Sequence, residues 1–153
     1  MLDCSIIKSK LFIEANKIVE SKINAIQNSL NEAQEGANNE TKSSAGDKHE
    51  TGRAMAQLET EKLTTQLSEA LKLEQTLSRL DPEEKHHQAR LGSLVITNNG
   101  NFYISVSIGK IELDEKVYFA ISTISPIGKL LLTKKEKESF SFNGKLYVIN
   151  NII

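Results

Sequence analysis

The chain has 153 residues, 25% of them charged and 39% hydrophobic, with a net charge of −1, the proportions of an ordinary folded domain or two. No run approaches the ~20 apolar residues of a membrane span, no basic start feeds an apolar stretch as in a signal peptide, and near-neutrality leaves no electrostatic footprint for non-specific nucleic-acid binding. A single cysteine, Cys4, excludes an internal disulfide and any multi-cysteine metal site, so the expectation is a cytoplasmic protein with no membrane partner.

The averages hide a division. Of eight aromatic residues only Phe12 precedes residue 100. Residues 1–90 hold 12 basic and 15 acidic side chains, net −3, whereas residues 91–153 hold 7 and 5, net +2. Helix-forming Ala, Glu, Gln, Leu and Lys give way to Ile, Val, Phe, Tyr and Ser. This order predicts an α+β chain: an N-terminal antiparallel helical hairpin, then a small antiparallel β domain with one short helix.

In chain order, Ile7, Leu11, Ala15, Ile18/Val19, Ile23, Ile26, Leu30 and Ala33 recur at steps of about three and four, a heptad-like seam. Asp3 or Ser5 would cap its start. Residues 36–47 are small, polar and bracketed by Gly36 and Gly46, which predicts a tip at about 36–50. Met55, Leu58, Leu63, Leu67, Ala70/Leu71, Leu73, Leu77 and Leu80 form a second apolar face. Two long helices with a short connection bury such seams by packing antiparallel. Residues 50–80 alone extend ~45 Å, so the hairpin reads as a rod over residues 1–80. Pro82 and the polar run after it predict a linker at 81–90. The remainder, 91–153, reads as the second domain.

There the expected strands are Ser93–Thr97, Asn101–Ser107, Lys116–Ser122, Ser139–Phe142 and Leu146–Asn150. Asn99-Gly100 and Asn143-Gly144 are the hairpin turns. Between the third and fourth strands, Ser125 and Pro126 mark the cap and first residue of a short helix. About 60 residues of this kind are marginally stable alone.

Candidate chemistry is sparse. Asp47 and Glu50 stand three apart where the tip enters the second helix, so both carboxylates face one side near a helix N-terminus. The same spacing is also that of a capping box. Arg53, one turn on, is able to pair with Glu50 or reach a partner's phosphate or carboxylate, or it simply faces water. His49, His86 and His87 lack cysteine partners, and their spacing argues against a metal site. Cys4 has no histidine near it in the chain, which argues against a nucleophile and against a condensing or acyl-transfer enzyme. No glycine-rich phosphate loop or serine elbow occurs.

Three segments carry a family resemblance. Ser125-Pro126-Ile127-Gly128-Lys129-Leu130-Leu131-Leu132-Thr133-Lys134-Lys135 resembles the C-terminal signature of bacterial Gre transcript-cleavage factors, with Thr133 where that pattern has Gly. Leu91-Gly92-Ser93-Leu94-Val95 resembles the start of the same domain. Gly46-Asp47-Lys48-His49-Glu50 resembles the Gre tip. After Glu50 the family continues Asn-Ala-Glu-Tyr, and this chain has Thr51-Gly52-Arg53-Ala54.

The resemblance implies an FKBP-like C-terminal domain docking at the secondary channel of RNA polymerase, with Ser125, Pro126, Ile127 and Lys129 there and Arg53 near the tip as partner-binding residues. The coiled coil would enter the channel. Asp47 and Glu50 would act as catalytic auxiliaries on the polymerase's Mg²⁺ during hydrolysis at the 3′ end of backtracked RNA, a two-metal reaction. The chain would then be a monomeric accessory factor without activity of its own, using Mg²⁺ only within the polymerase complex. The alternatives are a related channel regulator that does not stimulate cleavage, an FKBP-like peptide-binding or isomerase module, and a coiled-coil adaptor.

Overall fold

The computed structural model describes the backbone of residues 3–42 and 46–153 and the side chains of 3–36 and 50–153. Its elements are α1 (Cys4–Lys42), α2 (Gly46–Ser78), β1 (Leu94–Thr97), β2 (Gly100–Ile104), β3 (Gly109–Leu113), β4 (Lys116–Ile121), α3 (Pro126–Leu131), β5 (Ser139–Phe142) and β6 (Lys145–Ile152). The fold is α+β, helices first. Contacts divide it into two compact units, one of Val19–Glu74 and one of the residues through Ile18 together with Gln75–Ile153.

In the helical unit Val19, Ile23 and Ile26 of α1 and Leu63 and Ala70 of α2 are buried. Two helices separated only by residues 43–45 bury such positions together by running antiparallel. The expected tip is shorter than its composition suggested. Residues 36–42 are helical, because one Gly at about 1 kcal/mol and two Asn at less than that do not stop a helix that is already propagating. The α2 seam also differs from the expected one. Leu63 and Ala70 stand seven apart, and stepping back from Leu63 the half-buried positions are Thr60, Ala56 and Gly52. Met55 and Leu58 fall on the outer side and are 66% and 65% exposed, and Leu71 is exposed as well. Their hydrophobicity had placed them in the seam; the seven-residue phase of Leu63 and Ala70 places them outside it.

In the second unit the strands form one sheet in the order β3-β4-β2-β1-β6-β5. Neighbours are antiparallel except β2 and β4, which run parallel with Phe102 opposite Phe119, so the sheet is mixed rather than wholly antiparallel. β3 was not expected from sequence. It pairs with β4 through Asp114-Glu115, both at positive φ, a two-residue turn that lacks the Asn-Gly signature. Asn143-Gly144, by contrast, forms the expected turn with φ 51° and 78°. The first hairpin turns at Asn98-Asn99, one residue earlier than expected, since Thr97 pairs with Gly100.

Both faces of this sheet are covered. On one face Val95, Phe102, Ile104, Phe140, Tyr147, Ile149 and Ile152 pack with Ala89 and Leu131 of α3. Rings run across it: Phe119 and Tyr147 each lie 6.0 Å from Phe102, and Phe140 stacks on Tyr147 at 5.0 Å. On the opposite face Leu94, Tyr103, Ile111, Tyr118, Ala120 and Ile153 are also buried. The first turns of α1 supply the cover: Ile7, Leu11 and Ala15 are buried, Lys10 pairs with Asp114 at 3.2 Å, and Asn151 Nδ2 donates to Cys4 Sγ at 3.7 Å. Asp3 caps the helix, its Oδ1 accepting the Ser5 N–H at 3.0 Å.

Residues 81–90, read from sequence as a linker, belong to this unit and pack within it. His86 and Ala89 are buried. Ala89 N–H donates to Lys134 O at 2.8 Å and Ala89 O accepts from Thr133 N–H at 2.9 Å. The polar run thus acts as an extra strand-like edge whose main-chain bonds replace those to water.

Two backbone positions set the α3 region. A Cβ on Gly128 would stand 2.1 Å from Ser122 O, so α3 lies too close to the preceding backbone for any side chain there. Thr133 has φ 70°, a left-handed conformation that costs a β-branched residue about 1–2 kcal/mol and that glycine adopts without that cost. Gly128→Ala is expected to lose about 3 kcal/mol or more in chemical unfolding, and Thr133→Gly to gain about 0.5–1 kcal/mol. In the helical unit, Leu63→Ala is expected to cost about 2–4 kcal/mol, while Leu58→Lys stays within about 0.5 kcal/mol; equal losses would contradict the assigned seam.

Candidate functional site

The residues singled out by sequence fall in two places. Asp47, Glu50 and Arg53 belong to the helical unit; Ser125, Pro126, Ile127 and Lys129 belong to the sheet unit. α2 already includes Gly46 and Asp47, which puts Asp47 within the helix rather than before it. The side chain of Asp47 lies outside the described residues, as do that of His49 and residues 43–45 at the centre of the expected tip. Glu50 and Arg53 are exposed. Asp47 and Glu50 stand three residues apart on the helical backbone of α2, a separation of about one turn.

At α3 the local sequence explains the geometry. Ser125 Oγ accepts the Gly128 N–H at 3.1 Å and donates to Ser122 O at 2.7 Å, and Pro126 occupies the first turn, where its missing N–H is no loss. Ile127 packs partly against the core. Pro126 and Lys129 are exposed. Ser125 and Ile127 therefore shape this turn, and Pro126 and Lys129 form its outward surface.

Sequence reasoning missed a polar junction. The Lys8 side chain is buried, with the residue only 1% exposed. Its Nζ donates to Glu84 O at 2.6 Å and to the main-chain oxygen of Ile153 at 3.1 Å. Burial lowers its pKa against the opposing field of Glu84. His86 is equally enclosed. Its Nδ1 lies 2.6 Å from Ser93 Oγ, which also accepts the Arg90 N–H at 3.0 Å. Burial lowers the His86 pKa below 6.5, with Lys8 and Arg90 adding to the effect and Glu84 opposing it. Arg90 pairs with the Glu84 carboxylate. Nothing in the linear sequence links Lys8 to residues nearly eighty positions away.

Two recesses border this junction. One, of about 450 Å³, is lined by Cys4, His86, His87, Glu136 and Asn151 among others. Cys4 and the histidines, distant in sequence, thus share a cleft. The second, of about 340 Å³, is lined by Arg79, Leu80, Asp81, Glu84, His86, Arg90, Leu91 and Gly92. Among the described residues no three His, Cys, Asp or Glu side chains are grouped to hold a metal, and no helix is long and apolar enough to cross a membrane. Tyr103, fully enclosed in the sheet unit, has its pKa pushed up by burial.

Comparison with protein-family models, with curated proteins and with solved structures found no match to this chain.

His86 has a pH consequence. With its folded pKa below 6.5, the folded state keeps the ring neutral while the unfolded chain takes up a proton. Its contribution is full above pH 6.5 and declines as pH falls toward the folded value. In unfolding titrations the advantage of wild type over His86→Gln is expected to shrink below pH 6.5; a pH-independent difference would refute this.

Proposed function

We propose that the chain is a Gre-like regulator of transcription elongation. It binds RNA polymerase at the secondary channel and inserts the α1–α2 end toward the active site. There Asp47 and Glu50 help hold the polymerase's second Mg²⁺ and orient water for cleavage of backtracked RNA. The observation that carries this reading is the order and proportion of parts. Helices of 39 and 33 residues are joined across three residues and followed by a sheet unit with a Ser125-Pro126 helix start. From Val19 to Lys42, α1 rises ~36 Å at ~1.5 Å per residue, a length suited to reaching into a channel.

The chemistry asks little of the chain itself. In a two-metal hydrolysis one ion activates water and the pair stabilise the attacking and leaving oxygens. An auxiliary supplies carboxylates on a stiff support, and the polymerase supplies the remaining site. Two acids three apart on helical backbone meet that requirement. Exposed Pro126 and Lys129 on α3, and Arg53 beside the acids, are the side chains free to touch the polymerase.

A second reading, channel binding without cleavage, is favoured by one specific feature. Thr51-Gly52-Arg53-Ala54 replaces the acid and aromatic of the Gre pattern, and Arg53 stands three residues from Glu50, within ion-pairing reach on a helix. Capture of core RNA polymerase followed by RNA cleavage in backtracked complexes separates the two. The expected result is binding by wild type and by Asp47→Ala/Glu50→Ala, with cleavage falling about tenfold or more in the double variant, a loss of ~1.4 kcal/mol in transition-state stabilisation. Binding without cleavage by wild type would select the second reading. Absence of binding would remove both and leave a proline-isomerisation assay to test the peptide-module alternative.

A further inference from the structure

The recess of about 340 Å³ beside His86 has a feature that a surface dimple lacks: a buried imidazole nitrogen with no hydrogen-bond partner. Ser93 Oγ accepts the Arg90 N–H and lies 2.6 Å from His86 Nδ1. With the Ser93 hydroxyl donating to Nδ1, the neutral ring carries its proton on Nε2, the tautomer that the proposal below uses. The His86 side chain is 2% exposed, and its Nε2 has no hydrogen-bond partner. A buried polar nitrogen left unsatisfied is costly, and Glu84 Oε2 stops at 3.7 Å from this one.

The surroundings indicate what would complete the site. Arg79 and Arg90 line the recess with His86, and Leu80 and Leu91 give it apolar walls. Two carboxylates also line it. Asp81 is engaged locally, its Oδ1 accepting the Glu83 N–H at 2.9 Å. The Glu84 carboxylate sits between Arg90 and His86; its side chain is 51% exposed, so it is able to swing into water. Gly92, at φ 95°, leaves room beside the ring, where a Cβ would come within 3.4 Å of His86 Cε1.

We infer that this recess binds a small organic oxyanion, a carboxylate or phosphate ester, through the His86 Nε2–H and the guanidinium groups of Arg79 and Arg90, with Glu84 occupying the anion's place in its absence. The ligand's oxygens accept from one imidazole N–H and two guanidinium forks, the geometry that favours planar or tetrahedral oxyanions. Its body rests against Leu80 and Leu91. Entry displaces Glu84 from Arg90, so ligand and Glu84 compete for the same cations. The site lies wholly within the sheet unit and is independent of the polymerase reading.

The test is a titration of the full chain with inorganic phosphate and, separately, with succinate, read by nitrogen-15 NMR at the His86 Nε2–H and the Gly92 amide. A saturable shift at both reporters is expected with at least one anion, and which anion produces it distinguishes phosphate from carboxylate recognition. Arg79→Gln is expected to weaken binding about fivefold or more, and Glu84→Gln to tighten it about threefold by removing the internal competitor. No saturable shift with either anion, in wild type and Glu84→Gln alike, overturns the proposal. So does unchanged affinity in Arg79→Gln.

Discussion

A six-stranded sheet with apolar side chains on both faces needs two covers. Leu94 and Val95 on β1, and Phe102, Tyr103 and Ile104 on β2, are buried without alternation. A strand buries consecutive residues only when both of its faces are packed. α3 and residue Ala89 serve one face. The other depends on Ile7, Leu11 and Ala15, which come from the far end of the chain. Residues 91–153 alone would leave Tyr103 and Tyr118 against water, and the first turns of α1 are therefore part of the sheet unit.

The same closure accounts for the polar junction. Bringing α1 against the sheet encloses Lys8, and an ammonium taken out of water is tolerated only with strong acceptors. Two main-chain oxygens, of Glu84 and Ile153, meet that need, which ties α1 to residues 81–90 and to the last residue of the sheet unit. Glu84 then sits within reach of Arg90 and His86, and the Ser93 hydroxyl orders the imidazole. Packing demands on one face thus produce a recess with directed polar groups on its rim. A structural necessity and a ligand site are compatible here because most of the donors are already satisfied and one is not.

The functional reading divides along the same line as the architecture. The carboxylates proposed for cleavage, Asp47 and Glu50, belong to the helical unit and stand out in sequence by a three-residue spacing after a glycine. The Ser125-Pro126 turn was legible too, as a helix cap, and the structure gives Ser125 and Ile127 shaping roles while leaving Pro126 and Lys129 outward. Met55 and Leu58 were misassigned because hydrophobicity reports only the wish to be buried. Helical phase, set by Leu63 and Ala70, decides which residues achieve it. β3 went unseen because Asp114 and Glu115 adopt positive φ without a glycine to announce the turn.

By itself the sequence determined the order of helix and sheet, the cap at Ser125 and the turn at Asn143-Gly144; it offered Asp3 or Ser5 as the first cap and Asp47 and Glu50 as candidate acids. Each depends on local physics: helical periodicity, side-chain acceptors for the first N–H groups, left-handed backbone at glycine and asparagine, and the spacing of one helical turn. Tertiary structure alone decided that the start of α1 covers the sheet, that residues 81–90 pack within it, and that β2 and β4 run parallel. It also decided that Gly128 admits no side chain, and that Lys8, Glu84, His86, Ser93 and Arg90 meet. Those outcomes rest on contacts between residues far apart in the chain, whose partners are set by which surfaces remain to be buried after the local elements have formed.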